Sequence, residues 1–228
     1  MREDAAAIGT YNEKAVHRTL KNYFCPEKEL QETEINGKIC DAYKDGMIYE
    51  IQTGSFTHLK DKLKVFLPDH RVTVVYPLAV DRRIIRADPM SSEILSERMS
   101  SKHGKRTDIL PELYAVREFI NDGNLSVMIA FMKCADIRPE KAGKRQERKS
   151  GSVTLPTELL FFESYSGPED IKEISPGMAP GEYRAKDVRA ALGIRSGTDS
   201  WRALKMLVYT GYLKETGKDG KAVIYTVT

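Results

Sequence analysis

Residues 30–52 read LQETEINGKICDAYKDGMIYEIQ, three short runs cut by Asn36-Gly37 and Asp45-Gly46. Asn-Gly and Asp-Gly supply the positive φ angles that two-residue hairpin turns need, so this stretch is expected to form an antiparallel meander of Leu30–Ile35, Lys38–Lys44 and Met47–Gln52. Register follows by counting. With Asp45 and Gly46 in the turn, Lys44 pairs with Met47 and Asp41 comes opposite Glu50, while strand alternation puts Gln52 on the face of Glu50. Facing residues stand about 5 Å apart at Cβ, where like charges repel unless a cation lies between them. Asp41 and Glu50 are therefore candidate ligands for a hard divalent ion, Mg²⁺ first and Mn²⁺ as the alternative, which takes oxygen donors and often uses only one or two carboxylates. The Asn36-Gly37 turn adds Glu32 to the same row as a weaker third candidate.

Upstream, Val16, Leu20 and Phe24 recur at helical spacing, and Thr10 with Glu13 resembles a capping box, so Thr10–Phe24 is expected to be a helix. Glu13 falls on its apolar stripe, and His17, one turn on, is a partner within reach. Downstream, Thr53-Gly54-Ser55 breaks the pattern, Phe56, Leu59, Leu63 and Phe66 mark an amphipathic helix, and Arg71–Ala79 is a β-branched run suited to a buried strand. The expected order is αβββαβ.

A helix acid, an Asp on the second strand, Glu50-Ile51-Gln52 on the third, then helix and strand resemble the core of the PD-(D/E)XK, or restriction-endonuclease-like, nucleases over roughly residues 10–79. The resemblance implies an α/β fold with a mixed sheet and a metal-dependent hydrolysis of phosphodiester bonds. It carries metal ligation to Glu13, Asp41 and Glu50, and a catalytic role to Gln52. This sequence departs from the family pattern twice. Gln52 stands where Lys is usual, and no Pro precedes the Asp. Some members resemble it in carrying Gln there, and others draw a Lys from the following helix, for which Lys60 is the candidate. Glu-x-Gln alone means nothing; the joint pattern of register, face and element order carries the reading.

Farther along, a polar stretch from Asp88 to Thr107, a helix near Leu110–Ile120 and an apolar strand Leu125–Ala135 are expected to extend this first domain. Arg138 to Lys149 reads as a basic loop and Leu155–Tyr165 as a strand. Gly167, Pro168, Pro176, Gly177, Pro180 and Gly181 then mark a boundary, giving a nuclease-like domain at 1–166, a linker at 167–180 and a small domain at 181–228. In that last piece, helices Arg184–Leu192 and Asp199–Thr210 precede strands Tyr212–Thr216 and Ala222–Val227, with a basic tip between them, an arrangement that resembles a winged helix. Trp201, Leu204, Leu207 and Val208 would form the inner face of the second helix. Arg202, Lys205 and Tyr209 would form its outer, DNA-reading face, with Lys218 and Lys221 on the wing.

Bulk composition is permissive. In 228 residues with 30% charged side chains, the net charge is only +3, so attraction to nucleic acid must come from local patches. Three cysteines with no short ligand spacing argue against a disulfide framework or a zinc site, and the absence of any apolar run of membrane length points to a cytoplasmic protein. The expected partner is double-stranded DNA, with no membrane and with a homodimer left open. Two alternatives stand beside the nuclease: a catalytically inactive version of the same fold serving as a DNA-binding regulator or assembly subunit, and a winged helix that docks protein.

Overall fold

A computed structural model describes residues 15–88, 90–139 and 152–227. A helix, α1, runs through residues 15–24, followed by the meander β1 (Gln31–Ile35), β2 (Lys38–Lys44) and β3 (Met47–Ile51). Asn36 and Asp45, at φ 50° and 52°, and the glycines after them, at 76° and 78°, make the two tight turns. Ser55 then caps a 3₁₀ turn, Phe56–Leu59, by accepting from the Thr57 N–H, and α2 (Lys60–Phe66) continues it. The chain returns parallel to β3 as β4 (Arg71–Ala87). Next come β5 (Ile94–Met99), α3 (Leu110–Ala115), β6 (Leu125–Pro139) and β7 (Val153–Tyr165).

These strands form one mixed sheet in the order β1-β2-β3-β4-β6-β7. Strands β3, β4 and β6 are parallel and the outer pairings antiparallel. The protein is thus α/β with helices on both sheet faces. One face packs Val75, Ala79, Ala130, Met132 and Cys134 against Val16 and Leu20 of α1. The other packs Ile48, Val72, Val74, Val127 and Ile129 against Leu63 and Phe66 of α2 and Leu110 and Leu113 of α3. Burial on both sides explains why the central strands read as near-continuous apolar runs rather than as alternation.

Strand β4 extends eight residues beyond the expected Ala79. A bulge between Ala79 and Asp81 lets pairing with β6 resume as far as Ala87↔Pro139, and β5 adds antiparallel to the same distal half. The sheet therefore continues as an arm past the ends of β1, β2 and β3. Strand β5 lies inside the polar stretch Asp88–Thr107, for which no element is expected, and every residue of it is exposed.

The Pro/Gly-rich run contains a short helix, α4 (Gly167–Lys172), and Ile171 and Ile174 are buried in the main cluster. Strand β8 (Gly181–Arg184), which the sequence pattern does not signal, precedes α5 (Ala185–Leu192) and α6 (Gly197–Tyr209). Strands β9 (Leu213–Asp219) and β10 (Ala222–Val227) complete a three-stranded sheet, β8-β10-β9. Gly193, left-handed at φ 68°, ends α5, and Ser196 caps α6 by accepting from the Asp199 N–H, so the helix starts at Gly197, two residues before the expected Asp199. Val188, Leu204, Met206 and Leu207 share one hydrophobic cluster with Phe66, Leu110 and Leu113. Trp201 is not on the inner face: it is 43% exposed and its ring meets Tyr114 of α3 edge-on at 5.5 Å. Among the described residues no helix is long and apolar enough to cross a membrane, and Cys25, Cys40 and Cys134 are buried and unbridged.

Candidate active site

The observed pairs Lys44↔Met47, Tyr43↔Ile48 and Ala42↔Tyr49 reproduce the counted register, and the pairing ends there, one step short of Asp41 and Glu50. At that step the ladder changes character. The Ile51 N–H donates to Asp41 Oδ2 at 2.7 Å, so a side chain takes the place of a main-chain carbonyl. The same oxygen lies 3.1 Å from His17 Nε2 on α1. Glu50 is completely buried, and both of its oxygens accept from the Lys62 ammonium on α2, at 3.0 and 2.9 Å. The site sits at the C-terminal end of β3, with α1 supplying His17 from one sheet face and α2 supplying Lys62 from the other.

The two carboxyls titrate in opposite directions. Burial pushes Asp41 up, but the His17 hydrogen bond and charge, the Ile51 N–H and the Lys62 cation outweigh it and hold the group below the usual carboxylate range. Burial and the neighbouring Asp41 charge push Glu50 up to about 7, against the pull of Lys62 and the Asp41 backbone N–H. A pair of neighbouring acids with separated titrations is the arrangement from which acid and base roles are drawn.

Glu32 does not join the pair: at φ 52° it sends its carboxylate to Lys21 Nζ at 2.8 Å. Gln52 is half-buried two residues past Glu50, its N–H donating to the Val75 carbonyl. Lys60 is not brought to the carboxylates, because its ammonium lies 3.7 Å from Glu118. The lysine beside Glu50 is Lys62, which the sequence reading missed. Glu13 lies outside the described residues, as do 140–149 of the basic loop. The positive groups that answer the two acids here are the protein's own, and among the described residues no group of three or more His, Cys, Asp and Glu could hold a metal ion.

In the C-terminal part, the face expected to read DNA is largely engaged. Lys205 Nζ donates to Glu215 of β9 at 2.7 Å, Tyr209 Oη accepts from Asn121 Nδ2 at 3.2 Å, and Arg202 lies 3.8 Å from Asp199. Helix α6 packs along α3, which puts the 201, 205 and 209 stripe beside Tyr114 and Asn121. Lys218 and Lys221 are exposed on β9 and the turn after it.

Comparison with known proteins bears on the part of the chain that holds this site. An "Uncharacterized protein" of Treponema pallidum (strain Nichols) is 38% identical over 162 residues, which make up 69% of this chain and 62% of that relative. The chain thus spans somewhat less than two thirds of the relative's length. No solved structure matches. Residues 14–164, from the helix that carries His17 through β7, match the "Domain of unknown function (DUF8091)", and the chain belongs to that family.

Proposed function

We propose that the protein is a metal-dependent DNA endonuclease of the PD-(D/E)XK class, whose C-terminal strand, two helices and hairpin act as a winged helix that helps to dock duplex. The observation that carries this reading is the convergence of Asp41, Glu50 and Lys62 at the end of β3, with a helix lysine where Gln52 leaves the cationic position of the class unfilled. A buried carboxylate needs a strong reason to remain in a protein, and phosphodiester chemistry gives one.

The donor set suits a hard divalent cation that keeps most of its waters: two carboxylates, both oxygen donors, meet at one strand end. Asp41 and Glu50 would hold Mg²⁺, or Mn²⁺, and the ion when bound supplies an acidified water and a sink for phosphate charge. The chain's own groups do the rest. Asp41 is kept ionised by His17 and Ile51 N–H, which fixes one of its oxygens and leaves the other as donor. Lys62 lies where it can offset charge growing on a phosphate oxygen, and the Gln52 amide can orient a nucleophilic water without neutralising anything. Lys218 and Lys221, both exposed, are candidates in the winged helix to meet phosphate, whereas Lys205, Tyr209 and Arg202 have partners within the fold.

A catalytically inactive nucleic-acid-binding version of the fold is favoured by one observation, the Lys62 ammonium seated on both Glu50 oxygens. Incubating supercoiled plasmid with the protein in EDTA, Mg²⁺ and Mn²⁺ separates the two. Nicked or linear product only with metal supports the endonuclease, and intact plasmid in all three overturns it.

A further inference from the structure

The arm formed by the distal halves of β4, β5, β6 and β7 has two unlike faces. Arg82 is in register with Cys134, which belongs to the cluster beneath α1, and by alternation Ile84, Arg86, Asp136 and Arg138 share that face. Arg98 of β5, paired with Ile84, joins them. Four arginines therefore lie on one sheet face around a single acid. Asp136 is 8% exposed and accepts from Thr154 Oγ1 at 2.7 Å, with Arg138 at 3.3 Å and Arg82 at 3.6 Å on either side. One carboxylate is shared between two guanidinium groups, so it does not cancel the patch. Arg86 and Arg138 stand side by side on adjacent strands. Like charges in register destabilise a sheet unless an anion lies across them. Among the described residues no carboxylate lies within ion-pair distance of Arg86 or Arg98.

We propose that this face of the arm docks the phosphate backbone of nucleic acid and feeds it toward the Asp41–Glu50 site. The proposal rests on the endonuclease reading for its direction. Continuity favours nucleic acid over other anionic partners, because the same strand that carries Arg82 and Arg86 accepts the Gln52 N–H at Val75. At about 3.3 Å per residue, the arginines lie roughly 20 to 35 Å along β4 from Val75, about one turn of duplex DNA. Arginine forks match phosphate oxygens, and several of them in a row on a rigid sheet match a periodic polyanion.

The test is binding of a fluorescent 30-base-pair duplex in EDTA across a salt series, with wild type, the triple variant Arg86→Gln/Arg98→Gln/Arg138→Gln, and Arg83→Gln as a control on the opposite face. All four positions are exposed, and circular dichroism and melting confirm that the variants are folded. The triple variant is expected to bind more weakly, with a log–log salt slope shallower by up to about 0.9 for each phosphate no longer neutralised. Arg83→Gln is expected to leave the slope unchanged. Affinity and slope unaltered in the triple variant, an equal loss in Arg83→Gln, or no binding by wild type would each overturn the proposal, as would binding to anionic phospholipid vesicles without binding to the duplex. Plasmid cleavage by the same proteins keeps the two readings apart. Arm-dependent binding without cleavage in any metal sinks the endonuclease and leaves the docking face standing, whereas metal-dependent cleavage with arm-independent binding does the reverse.

Discussion

Lys62 and Lys205 each hold a carboxylate at short range, Glu50 at 2.9 Å and Glu215 at 2.7 Å, and the two lysines are about equally exposed, at 29% and 32%. The carboxylates differ. Glu50 has no exposed surface, whereas Glu215 on the C-terminal hairpin is 42% exposed. On the hairpin, water would solvate either partner alone, so the bond is worth little. At the end of β3, loss of one partner leaves the other without water, so the pair is costly to break and its proton becomes negotiable. Residue types are the same in both regions and the distances nearly so, and environment decides which pair belongs to a site.

The strongest way to break this contrast is chemical. Glu50→Gln and Asp41→Asn are each expected to lower metal-dependent plasmid cleavage by about 100-fold or more while duplex binding in EDTA stays near wild type. Cleavage retained in both variants would remove the site. Next in size is stability at pH 8, where Glu50 is mostly ionised: Lys62→Met is expected to cost about 3–5 kcal/mol in denaturant unfolding, and adding Glu50→Gln to recover most of it. If the double variant is as unstable as the single one, the lysine acts through packing and not through charge.

The pH dependence sharpens the same point. Glu50 has a folded value raised to about 7 from the ordinary 4.5, so between those values the folded chain holds a proton that the unfolded chain has lost. Its contribution to stability is full below the lower value and disappears as pH rises through the upper one, with a slope no steeper than about 1.4 kcal/mol per pH unit. Wild type should lose stability from pH 5 to 8 relative to Glu50→Gln, and a divalent ion that favours the carboxylate should flatten the difference. Parallel profiles for the two proteins without metal would refute the assignment. The smallest effect is expected at the other pair, where Lys205→Ala should cost less than about 1 kcal/mol and barely change duplex affinity. A large loss of affinity there would restore α6 as the main DNA contact.

The meander is legible in the sequence because Asn36-Gly37 and Asp45-Gly46 admit few turns, and turn length fixes register. Counting outward from the second turn gives the observed pairs as far as Ala42↔Tyr49, the step next to Asp41 and Glu50. The lysine is not legible in the same way. At 100° per residue, Lys60 and Lys62 flank the stripe of Leu59, Leu63 and Phe66 at similar angles on opposite sides, and the direction in which α2 crosses the sheet decides which one meets the strands. Strand β5 is illegible for another reason: Ile94 and Leu95 are adjacent, Met99 stands four residues on, and none is buried, since the strand lies at the sheet edge with both faces in solvent. Trp201 misleads because apolar character suggests the inner face of α6, while Ser200, Ala203 and Met206 take the buried positions and leave the indole at the seam with α3.

That seam carries a consequence for modularity. The stretch that matches the family ends at residue 164, yet Leu110 and Leu113 of α3 are buried in a cluster completed by Leu204, Met206 and Leu207 of α6. The unit that recurs between proteins and the unit that folds here are not the same length. A relative that keeps α3 but carries a different C-terminal segment must cover that helix with other apolar surface, or replace its leucines with residues that tolerate water.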